Sequence, residues 1–178
     1  LPSVASLGSY KNPDVLLQAL SHPSLEKVSL VITGSPATNY RNQFLRAFPS
    51  LSNRIYQGSF TDVELSMLYS YSLCVVIPSL IEGFGLPSLE VLSSSGILLV
   101  SDVPGLRESA SEAALVFPPS DSMYLVLLIQ SLLNKILRPW FFSVLSRRSS
   151  MRLSRLNPDL FALSLLCQAR RLLPSNRR

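Results

Sequence analysis

The sequence predicts an α/β fold, a doubly wound parallel β-sheet with helices on both faces. Three observations predict it. Short continuous apolar runs such as "VSLVITG", "LCVVIP" and "ILLVS" read as strands covered on both sides. Amphipathic stretches separate them. The two kinds of segment alternate along the chain, as in strand-helix-strand units whose crossovers build parallel sheets.

The first element is a helix in "NPDVLLQAL" (12–20): Asn12 is placed to cap it, Pro13 suits the first helical position, Asp14 meets the dipole, and Val15, Leu16, Ala19 and Leu20 share a face. "VSLVITG" (28–34) follows as a buried strand. In "YRNQFLRAF" (40–48), Tyr40, Phe44 and Phe48 recur every fourth residue, a helical stripe. "RIYQG" (54–58) is a short strand, and Thr61 and Glu64 have the spacing of a capping box that opens a helix through "LSMLYSY". "LCVVIP" (73–78), "ILLVS" (97–101) and "ALVF" (114–117) complete the strands. A long helix is predicted from Asp121 to Leu137, with a helical basic tail after "RPW".

Composition narrows the function classes. With 47% hydrophobic and 15% charged residues, the 178-residue chain has enough apolar material for one substantial core. No window reaches the roughly 18 apolar residues of a membrane span; "YLVLLIQSLL" (124–133) is too short. Cys74 and Cys167 are too few and too far apart for a disulfide framework or a metal site. His22, the only histidine, has no partner acid or second ligand and reads as a turn residue. Charge is uneven: residues 1–134 hold six Lys/Arg against ten Asp/Glu, a net of −4, whereas residues 135–178 hold ten against one, a net of +9. A basic tail suits an anionic membrane. It lacks the interleaved aromatics of a nucleic-acid surface, so no nucleic acid is expected as a partner.

The stretch "PSLIEGFGLPSLEVL" (78–92) leads from a strand to a helix that Pro87 opens, which places it at the carboxyl edge of the sheet, where ligands bind in this architecture. Gly83 and Gly85 let a ligand approach the backbone, and free amides at the helix start can hold phosphate or sugar oxygens against the positive end of the dipole. Glu82 stands before those amides, and Glu90 is expected in the first helical turn near the same mouth. Singly, the glycines suit a tight turn and Glu90 suits the dipole.

Together, "EGFGLPSLE" resembles the Glu, seven residues, Glu signature of retaining glycosyltransferases with the GT-B fold. The similarity runs on through "GSYKN" with "LLQAL", "LVITGS", "RIYQGSFTDVELSMLYSYS" and "SDVPGLRESASEAALVFPPSD", and fades beyond about residue 138. The resemblance implies one half of a GT-B fold: residues 1–138 as a Rossmann-like nucleotide-sugar donor-binding domain, and 139–178 as a basic helical tail packing on it. It implies transfer of a hexosyl group from a nucleotide-diphosphate sugar to an acceptor hydroxyl, without cofactor or obligatory metal. Carried over by position, Glu90 would accept hydrogen bonds from the ribose hydroxyls. Glu82 and the amides of Gly83, Phe84, Gly85 and Leu86 would hold the transferred sugar and the diphosphate, and Lys11 would neutralise the diphosphate as it leaves. Arg107 and Glu108 fall in a second loop of the same edge.

The chain departs from the family in three places. It has one extra residue before Gly96, Leu98 where proline is usual, and no arginine in residues 1–10 to pair with Lys11. These departures keep open a reading from another class, a non-catalytic GT-B-like remnant that serves as a binding or scaffold module. Family members also carry an acceptor-binding half before the donor half, a partner absent from this chain. A cytoplasmic location is expected, with peripheral membrane contact through the tail left open. In an assay of sugar transfer, the isolated 178 residues are expected to bind donor weakly and transfer little.

Overall fold

The computed structural model describes residues 2–5, 9–34 and 40–156. Its strands are β1 (Pro2–Ala5), β2 (Ser29–Thr33), β3 (Ile55–Gly58), β4 (Cys74–Ile77), β5 (Leu98–Ser101) and β6 (Ala114–Phe117). Its α-helices are α1 (Pro13–Leu20), α2 (Tyr40–Ala47), α3 (Asp62–Tyr71), α4 (Leu86–Ser93), α5 (Pro104–Ala110), α6 (Ser122–Leu133) and α7 (Leu137–Leu156). All strand pairs are parallel, in the order β3-β2-β1-β4-β5-β6. The predicted fold class is the one found.

Alternation along the central strands splits the core into two layers. Cys74, Val76, Leu99 and Phe117 face α1 and α6, where Leu16, Leu17, Leu125 and Ile129 pack on them. Val75, Ile77, Leu98 and Val100 face the other way, onto Tyr69 of α3, Val91 and Leu92 of α4, and Leu106 of α5. Every residue of β4 and β5 is buried, as the unbroken apolar runs require of strands covered on both faces. Burial pushes the Cys74 thiol up to about 12, so it stays a neutral packing group. Helix α7 serves both layers, Leu145 packing in one and Leu153 in the other. Its Arg152 donates to the carbonyls of Glu108 and Ser109, and Arg148 to that of Glu112, so cations meet the carboxyl end of α5 and the turn after it.

Local sequence explains most boundaries. Thr61 and Glu64 form the expected capping box: the Thr61 amide donates to Glu64 Oε2 at 2.8 Å, and Thr61 Oγ1 accepts from the Glu64 amide at 3.4 Å. The hydrogen bond from the Thr61 backbone holds the Glu64 carboxyl below its ordinary pKa. Arg54 ties the start of β3 to the connection between α1 and β2, donating to the carbonyls of Leu20, Leu25 and Val28 at 2.9, 2.8 and 3.3 Å. His22 is a turn residue, its ring accepting from the Ser24 amide.

Five expectations are corrected. Strand β1, which the sequence reading did not single out, fills the sheet's centre between β2 and β4. Asn12 adopts a left-handed conformation and makes no side-chain cap; its Nδ2 instead donates to the Pro119 carbonyl at 2.7 Å. The long helix from Asp121 breaks after Leu133, and Arg138, Pro139 and Trp140 open α7. Arg107 and Glu108 belong to α5 rather than to a loop. Glu90 is the fifth residue of α4, just past its first turn. The extra residue before Gly96 is absorbed at the end of α4, where Ser95 takes the left-handed conformation (φ 57°). The amides of Ser95 and Gly96 return to the carbonyls of Leu92 and Val91 at 3.0 and 2.9 Å, the paired bonds of a Schellman motif. Strand β5 then pairs in register, Val75 with Leu98.

Close packing fixes the loop after β4. Gly85 takes a left-handed φ of 70° as the N-cap of α4, and a Cβ there would meet Leu106 and Ser109 at 2.9 Å. Gly105, at the start of α5, lies so near that a Cβ would fall 2.0 Å from the Gly83 carbonyl oxygen and 2.3 Å from that of Glu82. Gly105→Ala is therefore expected to destabilise the protein by roughly 1–3 kcal/mol, read by urea unfolding. The Ser88 hydroxyl is fully buried and, among the described residues, lacks a hydrogen-bond partner. Ser88→Ala is expected to leave the unfolding midpoint unchanged or raise it, because the variant no longer buries an unsatisfied hydroxyl.

Candidate functional site

The strand order reverses between β1 and β4: from β1 the chain proceeds outward to β2, and from β4 in the opposite direction to β5. Loops leaving the carboxyl ends of such a pair diverge and open a crevice. The loop after β1 delivers Tyr10 and Lys11, and the loop after β4 delivers residues 78–85. The two are joined by backbone, the Leu80 amide donating to the Tyr10 carbonyl at 2.8 Å.

Side chains join them as well. Lys11 Nζ donates to Glu82 Oε1, and Ser79 Oγ donates to the same oxygen at 3.2 Å. Lys11 also lies 5.0 Å from the centre of the Tyr10 ring. The Lys11 and Glu82 side chains are only 14% and 13% exposed, so each has lost most of its hydration and relies on the other for charge balance. Buried Ser101 at the end of β5 donates to the Ser79 carbonyl, which fixes the root of the loop. Lys11 and Ser79 line a narrow crevice of about 30 Å³ whose other walls include Thr33, Tyr69 and Pro87.

Above this pair lies the start of α4. Among the described residues, no acceptor meets the amides of Gly83, Phe84, Gly85 and Leu86, and Gly85 offers no side-chain cap. These amides and the aligned peptides of α4 form a positive, donor-rich mouth. Phe84 and Leu86 leave their side chains exposed beside it.

Glu90 opens onto an adjoining groove of about 390 Å³ between α3 and α4, lined also by Asp62, Ser66, Tyr69 and Ser93. The crevice at Lys11 and the groove at Glu90 thus share Tyr69 as a wall. Burial first, then the Glu90 charge and the hydrogen bond the Tyr69 hydroxyl gives to it, raise the Tyr69 pKa above its ordinary value. Tyr69 therefore stays a neutral hydroxyl in the wall beside Glu90. The sequence reading missed it, since Tyr69 and Glu90 come from different helices and no local spacing links them.

Arg107 and Glu108 stand apart from the Lys11–Glu82 pair. Arg107 is spent on a bidentate, exposed contact with Asp102, its Nη2 donating to Oδ2 at 2.8 Å. That contact holds the Asp102 carboxyl below its usual range. Among the described residues, no group of three His, Cys, Asp or Glu side chains could hold a metal ion, and no single helix is long and apolar enough to cross a membrane.

Comparison with known proteins places this geometry. The family model described as "Glycosyl transferases group 1" matches residues 1–138. The O-antigen chain mannosyltransferase RfbU of Salmonella typhimurium is 41% identical over 67 residues, 38% of this chain and 18% of its own length. The serotype-specific mannosyltransferase WbdA of Escherichia coli is 31% identical over 126 residues, 67% of this chain and 16% of its own length. Among solved structures, sucrose-phosphate synthase from Thermosynechococcus elongatus superposes with a TM-score of 0.73 at 25% identity, over 96% of this chain and 45% of that one. HepE of Anabaena, solved with UDP and glucose, gives a TM-score of 0.74 at 16% identity, over 97% and 48%. The chain thus spans under a fifth of these curated relatives and just under half of these solved chains. Its sheet, with helices on both faces, is one half of a GT-B fold, and the chain belongs to the group 1 glycosyltransferase family.

Proposed function

We propose that this chain is the donor-binding half of a retaining glycosyltransferase, which moves a hexosyl group from a nucleotide-diphosphate sugar to an acceptor hydroxyl without a metal ion. The observation that carries the reading is the meeting of Lys11 and Glu82 at the strand reversal, in a loop that continues directly into four amides without an acceptor. Breaking the bond to the departing diphosphate builds negative charge on phosphate and positive charge at the anomeric carbon. The Lys11 ammonium and the amides of Gly83, Phe84, Gly85 and Leu86 sit where they would receive the negative charge, already oriented before reaction.

In this reading the Glu82 carboxylate occupies, at Lys11, the place a phosphate would take. Donor binding exchanges that contact: Lys11 turns to the diphosphate, and the released Glu82 carboxylate accepts from hydroxyls of the transferred sugar. Glu90, beside Tyr69, accepts from the ribose hydroxyls in the adjoining groove. Solved neighbours in complex with UDP-glucose, and with UDP and glucose, support a nucleotide-sugar donor. Residues 1–138 form the donor domain in this reading, α7 packs on it through Leu145 and Leu153, the remainder of the 139–178 tail lies outside the described residues, and the acceptor is held by a second half.

Calorimetric titration with nucleosides and nucleoside diphosphates tests these assignments. The native chain is expected to bind UDP or GDP more tightly than the matching nucleoside. Glu90→Ala is expected to weaken both ligands, by roughly ten- to hundredfold for the diphosphate. Lys11→Gln is expected to weaken the diphosphate while leaving nucleoside binding near its native value, because Lys11 contacts only phosphate. Absence of heat with every nucleoside diphosphate, in the native chain and in Glu90→Ala alike, would favour the non-catalytic binding or scaffold module.

A further inference from the structure

Helices α6 and α7 meet at an elbow bent by 102°. The turn is built: Asn134 Oδ1 accepts from the amides of Ile136 and Leu137 at 2.8 and 3.2 Å, and the Asn134 carbonyl accepts from the Arg138 amide at 3.0 Å. This turn holds large apolar side chains outward. Ile136 is 83% exposed and Trp140 59%, with Leu133 and Leu137 exposed beside them. Phe141 explains why Trp140 stays out: it packs against the core and meets the indole edge-on, with ring centres 5.1 Å apart. Scattered exposed apolar residues are ordinary, but four within eight residues form a patch.

The charge around the patch has one sign. Lys135 is exposed on the elbow and Arg138 follows, and no Asp or Glu occurs from residue 122 to 158; farther along α7, Arg148 and Arg152 are engaged with α5 and the turn after it, Arg148 at 4.0 Å from Glu112. The elbow also lies on the sheet edge remote from the candidate site. Arg138, Pro139 and Phe142 share a hollow with Ser70 and Tyr71, at the end of α3 that leads into the amino end of β4.

We propose that the α6–α7 elbow docks the protein on an anionic membrane surface, with Ile136, Leu137 and Trp140 entering the headgroup layer and Lys135 and Arg138 meeting acidic lipids. Each feature fits that partner. Exposed aliphatics beside a tryptophan match the amphipathic boundary of a bilayer, and cations at the same level gain from its negative potential. A second copy of the chain would set Lys135 and Arg138 against their own like charges. A nucleic acid would leave Ile136 and Leu137 without a partner.

Trp140 is the chain's only tryptophan, so its fluorescence reads the elbow without any substitution. Titration with phosphatidylcholine vesicles containing phosphatidylglycerol is expected to shift its emission to the blue, and bromine-labelled acyl chains in those vesicles to quench it; phosphatidylcholine alone should do neither. Binding should weaken at high salt, and Lys135→Gln and Arg138→Gln should each cost about fivefold in vesicle affinity. Ile136→Ser should weaken vesicle binding while leaving nucleoside diphosphate binding unchanged, which separates this docking surface from the donor site. Failure to co-sediment, equal binding to neutral vesicles, or co-sedimentation with no change in Trp140 emission would each overturn the proposal. A blue shift that grows with protein concentration in the absence of lipid would also overturn it, in favour of self-association.

Discussion

The ion pair between Lys11 and Glu82 is possible only because two neighbouring strands send the chain in opposite directions. Between β1 and β4, no helix can fill the space above the strand ends, since each crossover leaves to its own side. The crevice that remains collects the loops, and the loops carry opposite charges. Both partners are largely withdrawn from water, so neither is content without the other or a ligand of equivalent charge. A free amine and a free carboxylate at such a place would be costly. The contact between them meets both needs at once.

The loop that presents Glu82 is held from behind. Gly105 brings the start of α5 against the Glu82 and Gly83 carbonyls, Ser101 anchors the Ser79 carbonyl, and Gly85 turns the chain into α4 with a conformation that side-chain-bearing residues rarely adopt. Those contacts come from the strand and helix that follow the motif. A loop assembled this way is held in one conformation by the elements behind it.

Much of this was legible in the residues. Strands β2, β4, β5 and β6 announced themselves as continuous apolar runs, "RIYQG" as a short strand ending on glycine, and the box formed by Thr61 and Glu64 marked α3, because these signals are local. Strand β1 was not legible: "PSVA" is four residues, half of them proline and serine, and is a strand only because β2 and β4 pair with it on either side. The break between α6 and α7 was hidden for the opposite reason, since apolar residues run across it and only the Asn134 side chain marks the stop. The motif pointed to Glu82, Glu90 and the amides between them. The contacts that complete the site, Lys11 with Glu82 and Tyr69 with Glu90, span 71 and 21 positions of sequence and depend on topology that no spacing reveals.

Helix α7 begins where the family match ends, yet its Leu145 and Leu153 belong to the two opposite layers of the core. It therefore acts as a clasp across the end of the sheet. Neither hydrophobic face can loosen without disturbing the helix that also closes the other, so the two layers should melt together, in one cooperative transition.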